Sequence, residues 1–172
     1  GKDNNEEHSS NILFIITSAP TYLGALQSFA SYRAHVVGVP RCNGSADDFT
    51  TSLRQVVENC REAGRKIKMI YVIPDFQNPT GETLSLDERK VLVSIAREYG
   101  ILIVEDSPYR ELRYEGTSLP TLYSLCPEMV IHLGSFSKIF APGFRLGWMI
   151  GNEDVIDKVY VCKQSLDLCA PV

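Results

Sequence analysis

Four short, almost uninterrupted apolar runs set the limits on how this chain folds. They are ILFIITS (12–18), IKMIYVIP (67–74), ILIVED (101–106) and VIHLGS (130–135). Each has the length of a strand and none shows an alternating polar face. A strand of that kind has to be covered on both sides, the usual environment of a parallel sheet. Segments with helical spacing lie between the runs. ADDFTTSLRQVVENCREAG (46–64) is amphipathic, with acids in its first turn and Gly64 at its end. SLDERKVLVSIAREYG (85–100) opens on a capping box, Ser85 with Glu88, and stops at Gly100. TYLGALQSFASYRA (21–34) also has helical spacing, HVVGVP (35–40) reads as a short strand closed by proline, and a last helical pattern runs from 153 to about 168. The alternation predicts a three-layer α/β/α domain with a mostly parallel sheet. LGWMIG (146–151) comes after the fourth run by a link too short for a helical crossover, so that strand is expected to run antiparallel to its neighbour.

The bulk numbers agree with one domain that has a core: 172 residues, 44% hydrophobic and 22% charged. A net charge of -4 gives no basic excess for nucleic acid, and no apolar run is long enough to span a bilayer. The five cysteines (Cys42, Cys60, Cys126, Cys162, Cys169) are scattered and form no C-x-x-C pair. They fit a reduced, cytoplasmic compartment and not a zinc site. His8, His35 and His132 are far apart in the sequence, form no H-x-x-x-H pair and read as surface or packing residues. Residues 1–11 are polar and lack periodicity, so a flexible lead is expected there, with the domain over 12–172.

Ligands of open α/β sheets sit outside the carboxyl ends of the parallel strands. The residues just past each run here are polar and varied. Tyr22 comes after the first, Asn78 after the second, Asp106 and Tyr109 after the third, and Ser135, Ser137 and Lys138 after the fourth, with Arg145 close behind. Each has a plain structural reading. Asp106 can cap a turn, Asn78 can start one before Pro79, the tyrosines can be core-edge aromatics, the serines loop residues, and Lys138 and Arg145 surface cations. Together they form a complementary set along one edge. Two hydroxyls and a guanidinium suit a phosphate. A carboxylate suits a protonated ring nitrogen, a phenol and an amide suit a ring hydroxyl, and a tyrosine suits a ring face. A lysine partly desolvated and near a second cation suits an amine-reactive carbonyl.

Three segments carry a resemblance. GSFSKIFAPGFRLGW (134–148) resembles the cofactor-lysine segment of fold-type I pyridoxal-phosphate enzymes. PDFQNPTG and VEDSPYREL resemble two further motifs of the class I/II aminotransferase branch. The similarity is nearest to the 2-aminoadipate and kynurenine aminotransferase-like group, which also includes the sensor domains of MocR-type regulators. It implies pyridoxal 5'-phosphate held as a Schiff base on Lys138, and transfer of an amino group between an amino acid and a 2-oxo acid. It further implies that Asp106 pairs with the ring nitrogen, that Asn78 and Tyr109 bond the ring oxygen, that Tyr22 stacks on the ring, and that Ser135, Ser137 and Arg145 hold the phosphate. A homodimer with active sites at its interface is implied as well.

Two parts of the family pattern are not found. The Gly-Ser- or Gly-Thr-containing phosphate loop upstream of the first strand has no match, and the substrate-carboxylate arginine of the small domain lies beyond these residues. The chain is therefore expected to be the central part of the large domain, binding cofactor weakly and transaminating poorly or not at all by itself. Other chemistries fare worse. SFSK satisfies S-x-x-K, but the S-D-N and K-T-G partners of that acyl-enzyme chemistry do not occur. G-x-G-x-x-G, G-x-x-x-x-G-K-[ST] and G-x-S-x-G do not occur either. The rival of another class is the effector domain of a MocR-type transcription regulator. Other pyridoxal-phosphate chemistry, such as β-elimination or decarboxylation, is a further alternative.

Overall fold

The computed structural model describes residues 12–40 and 46–167; the lead expected over 1–11, together with Cys42 and Cys169, lies outside the described residues. Six strands form one sheet: β1 (Phe14–Ala19), β2 (His35–Pro40), β3 (Ile67–Val72), β4 (Leu102–Asp106), β5 (Val130–Ser135) and β6 (Gly147–Ile150). Their spatial order is β2-β1-β3-β4-β5-β6. The first five are parallel, and β6 runs antiparallel to β5, as the short link before it requires. β3 stops at Val72 and not at the expected 74. The residue at 74 is Pro74, which has no N–H to give to a ladder.

The helices divide between the two faces. α2 (Ala46–Glu62), α3 (Leu86–Tyr99) and α4 (Leu122–Leu125) cover one. There Val57, Leu92 and Ile95 meet Ile16, Ile70 and Ile103 in the main core. α1 (Leu23–Ser31) covers the other, where Ala25 and Phe29 pack on Ile15, Tyr71 and Ile73. Strand alternation does this sorting, since neighbours along a strand point to opposite faces. The helix expected over 21–34 is shorter at both ends, because Tyr22 is extended before it and Arg33 takes φ +54° after it. In α3 the capping box forms: Glu88 N donates to Ser85 Oγ at 3.2 Å and Ser85 N donates to Glu88 Oε2 at 2.7 Å. Gly100 ends that helix at φ +65°, a conformation that suits a residue without Cβ.

The far side of the sheet is less covered. α5 (Phe136–Ile139) is one turn long, and α6 (Glu153–Leu166) buries none of its residues. β6 is exposed along its length. It is tied to β5 by the pairing of Gly134 with Trp148, whose indole occupies the space a Cβ at Gly134 would need. The Phe136 ring lies 4.9 Å from that indole.

A buried ion cluster fixes the loops at one end of the sheet. Arg89 Nη2 donates to Asp75 Oδ1 at 2.9 Å, with both side chains fully buried. Arg113 Nη2 reaches the same oxygen at 3.2 Å, and Arg110 Nη1 stands 3.6 Å from Oδ2, too far for a hydrogen bond. Arg89 also donates to the carbonyls of Leu84, Pro74 and Pro120. The Arg113 guanidinium lies 4.7 Å from the centre of the Phe76 ring. One carboxylate thus ties the loop after β3 to the start of α3 and to the loop after β4. Removing one partner of a buried pair leaves the other charged and unpaired. Asp75→Ala should therefore lower the unfolding free energy by about 3–5 kcal/mol in urea denaturation. An unchanged midpoint would show that the cluster does not hold the fold.

Candidate active site

Because five strands run in one direction, the residues just beyond them gather on one rim of the sheet. Tyr22 comes after β1, Asn78 after β3, Asp106 ends β4, and Ser135 ends β5 with Lys138 one turn on. Asp106 stands opposite Leu133 in the ladder, two residues before Ser135. α5, which carries Ser137 and Lys138, packs against the short 3-10 turn Arg110–Leu112 that begins beside Tyr109.

The end of β4 holds two adjacent carboxylates with different partners. Glu105 faces the α4 side and is completely buried. It accepts hydrogen bonds from Leu122 N at 2.9 Å and Tyr123 N at 3.0 Å, and His132 Nδ1 donates to it at 3.0 Å. Its role is to start α4 and to brace β5. Asp106 faces the other side, where Tyr71 Oη donates to its Oδ2 at 2.6 Å. Among the described residues no donor reaches Asp106 Oδ1. Burial pushes the Asp106 carboxyl above its ordinary pKa, while the Tyr71 hydrogen bond and the nearby His132 pull it down. Burial also pushes the Tyr71 phenol up, and the Asp106 charge adds to the shift, with smaller additions from Tyr22 and Tyr109. Asp106, Tyr22 and Tyr109 are therefore all within electrostatic reach of Tyr71.

Asn78 and Tyr109 meet directly, Asn78 Nδ2 donating to Tyr109 Oη at 3.4 Å. An open cleft of about 660 Å³ runs beside them, lined also by Phe76, Pro79, Leu112 and Tyr114. The Tyr22 ring folds over Gly24, where a Cβ would come within 2.5 Å of it. Phe76 and Arg145 both have φ +51°. A left-handed backbone costs a residue with a side chain about 1–2 kcal/mol, so the loops on this rim are held by their surroundings.

The remaining residues are less closely joined. Ser137 N donates to Ser135 Oγ at 3.1 Å, which makes Ser135 the cap of α5. Arg145 Nη1 reaches back to Pro142 O at 3.4 Å, and no hydrogen bond links it to either serine among the described residues. Lys138 is exposed. The desolvation expected for its amine is thus not supplied by the described residues: α5 is a single turn that buries none of its side chains. Sequence reasoning missed Tyr71, although the period of two places it on the same face as Val104 and Asp106 once β3 and β4 pair as Tyr71 with Val104. A lone phenol in an aliphatic strand was the available signal.

A family model described as aminotransferase class I and II matches residues 13–170. The aromatic-amino-acid aminotransferase 1 of Thermococcus litoralis is 42% identical over 156 residues, which is 90% of this chain and 37% of that protein. The crystal structure of Pyrococcus horikoshii kynurenine aminotransferase, in complex with PMP, kynurenine and its product, superposes with a TM-score of 0.87 at 41% identity. The match covers 92% of this chain and 39% of that one. An uncharacterized HTH-type transcriptional regulator of Bacillus subtilis is 33% identical over 89% of this chain and 30% of its own length. The chain thus spans less than two fifths of each of these relatives. Among the described residues, no helix is long and apolar enough to cross a membrane.

The buried Asp106 charge has a consequence for stability. A carboxyl whose pKa is raised on folding contributes stability that is fully present below its ordinary value of 3.8 and is lost as pH rises through the raised one. Asp106→Asn keeps an acceptor for Tyr71 but cannot ionise. Without added ligand it should melt at a higher temperature than the native sequence at neutral pH, and the gap should close as pH falls below 3.8. Equal melting temperatures at neutral pH would contradict the burial cost assigned to Asp106.

Proposed function

The chain belongs to the aminotransferase class I and II family, and from that premise we propose that it is part of the cofactor-binding domain of an enzyme that transfers an amino group between an amino acid and a 2-oxo acid with pyridoxal 5'-phosphate. The observation that carries this reading is Asp106. It is a largely buried carboxylate with one oxygen committed to Tyr71 and the other without a donor among the described residues. A buried acceptor of that kind fits a protonated ring nitrogen. The Asn78–Tyr109 pair at the end of the neighbouring strand adds an amide and a phenol suited to a ring oxygen.

When bound, pyridoxal phosphate supplies an electron sink for the carbanion left by removal of the substrate's α-proton. The chain's residues would do the rest. Asp106 Oδ1 would keep the ring nitrogen protonated. Asn78 Nδ2 and Tyr109 Oη would orient the ring oxygen, and the Tyr22 ring would cover one face. Ser135, Ser137 and Arg145 would hold the phosphate, with the Arg145 guanidinium leaving Pro142 O to do so. Lys138 Nζ would hold the cofactor covalently and, once released, carry a proton to and from the substrate's α-carbon. The amine needs a drier setting than the described residues give it, which the rest of a longer protein or a second subunit of a cytoplasmic homodimer would provide.

A second reading is supported by the 33% identity to a transcriptional regulator. There the same residues would bind the cofactor to register a ligand without turning it over. In the full-length protein, borohydride should fix pyridoxal phosphate to the peptide that contains Lys138. Lys138→Ala should retain none after reduction; equal retention by that variant would overturn the assignment of the lysine. Catalytic conversion of an amino acid to its 2-oxo acid, with a 2-oxo acid acceptor, would support the enzyme, and cofactor binding without turnover would support the regulator.

A further inference from the structure

Tyr71 has no part in the chemistry above, yet its hydroxyl makes the shortest side-chain hydrogen bond on the rim, 2.6 Å to Asp106 Oδ2. The ring is 4% exposed and sits among Ile15, Ile73 and Ala25. Phe29 meets it edge-on, with centroids 5.5 Å apart and planes at 76°. A phenylalanine would fill this apolar space without carrying a hydroxyl out of water. The hydroxyl is therefore explained by what it touches. A phenol can only donate to a carboxylate, and a 2.6 Å contact lies in the short, charge-assisted range. The ring is fixed by packing on β3 and α1, so the bond also fixes the rotation of the Asp106 side chain on β4.

We propose that Tyr71 is a positioning residue for the cofactor: by clamping Asp106 Oδ2 it aims Oδ1, which no donor reaches among the described residues, at the protonated nitrogen of a pyridine ring. The proposal rests on the pyridoxal-phosphate reading of the site. It makes a distinction that a merely structural tyrosine does not. The clamp matters only to a ligand with a ring nitrogen for Oδ1 to meet. Loss of the hydroxyl should weaken such a ligand and leave its nitrogen-free analogue unaffected.

The test uses the full-length protein and a binding readout. Pyridoxal 5'-phosphate and 1-deazapyridoxal 5'-phosphate, in which carbon replaces the ring nitrogen, are titrated into the native protein and Tyr71→Phe and monitored by absorbance. Tyr71→Phe should bind pyridoxal phosphate about tenfold more weakly, the size expected for one hydrogen bond to a charged group. Its affinity for the deaza analogue should not change. An equal loss for both ligands, or a loss for neither, would overturn the proposal. Lys138→Ala and Asp106→Ala serve as controls. If they weaken pyridoxal phosphate and Tyr71→Phe does not, the clamp fails and the cofactor reading stands. If neither control changes binding, the cofactor reading itself falls. Should Tyr71→Phe fold poorly, 3-fluorotyrosine at the same position alters the phenol's acidity and keeps its shape. The affinity for pyridoxal phosphate must then shift while that for the deaza analogue does not, and no shift would reject the clamp.

Discussion

A carboxylate without access to water is tolerable only where cations and donors surround it, and Asp75 occupies such a place. Arg89 meets it from α3, and Arg110 and Arg113 meet it from the loop after β4. Asn78 lies three residues beyond Asp75, and Tyr109 lies one residue before Arg110. The amide and the phenol that face each other on the rim are thus suspended from the same ionic knot. Their 3.4 Å contact is loose by itself. Its geometry comes from the loops, and the geometry of the loops comes from the charge pairing below them.

The sheet contributes a second constraint, the alternation of side chains along β4. Glu105 and Asp106 are neighbours in sequence, but the pleat sends them to opposite faces. Glu105 is satisfied by two backbone amides and His132, and belongs to the scaffold. Asp106 receives one phenol, and no donor reaches its other oxygen among the described residues. Two carboxylates with the same chemistry acquire different uses from geometry alone. The divide also explains why the main core and the site do not compete: one lies under α2, α3 and α4, the other under α1.

Much of this architecture is legible in the residues. Continuous apolar runs gave the buried strands, Ser85 with Glu88 marked the start of α3, and the short link after Lys138 gave the direction of β6. The rim positions of Tyr22, Asn78, Asp106, Ser135 and Lys138 result from strand order and direction. The short helical turns at 110–112, 122–125, 136–139 and 142–144 were not anticipated, since one turn is too brief to show a period. The Asp75 cluster and the Tyr71–Asp106 bond were hidden for another reason. Their partners are 14 to 38 residues apart, so no local pattern announces them. The exposure of Lys138 was equally invisible, because desolvation depends on what stands above a residue in space and not on its flanking sequence.

The pairing of Gly134 with Trp148 reaches further than local packing. The indole lies over the bare backbone one residue before the capping serine of α5. Any larger residue at 134 has to move that indole, and the turn that bears Lys138 is spliced between these two strands. A residue with no functional group of its own thereby bears on the placement of Lys138. Even alanine at 134 would need that side chain to move, so the demand there is steric and independent of any chemistry at Lys138.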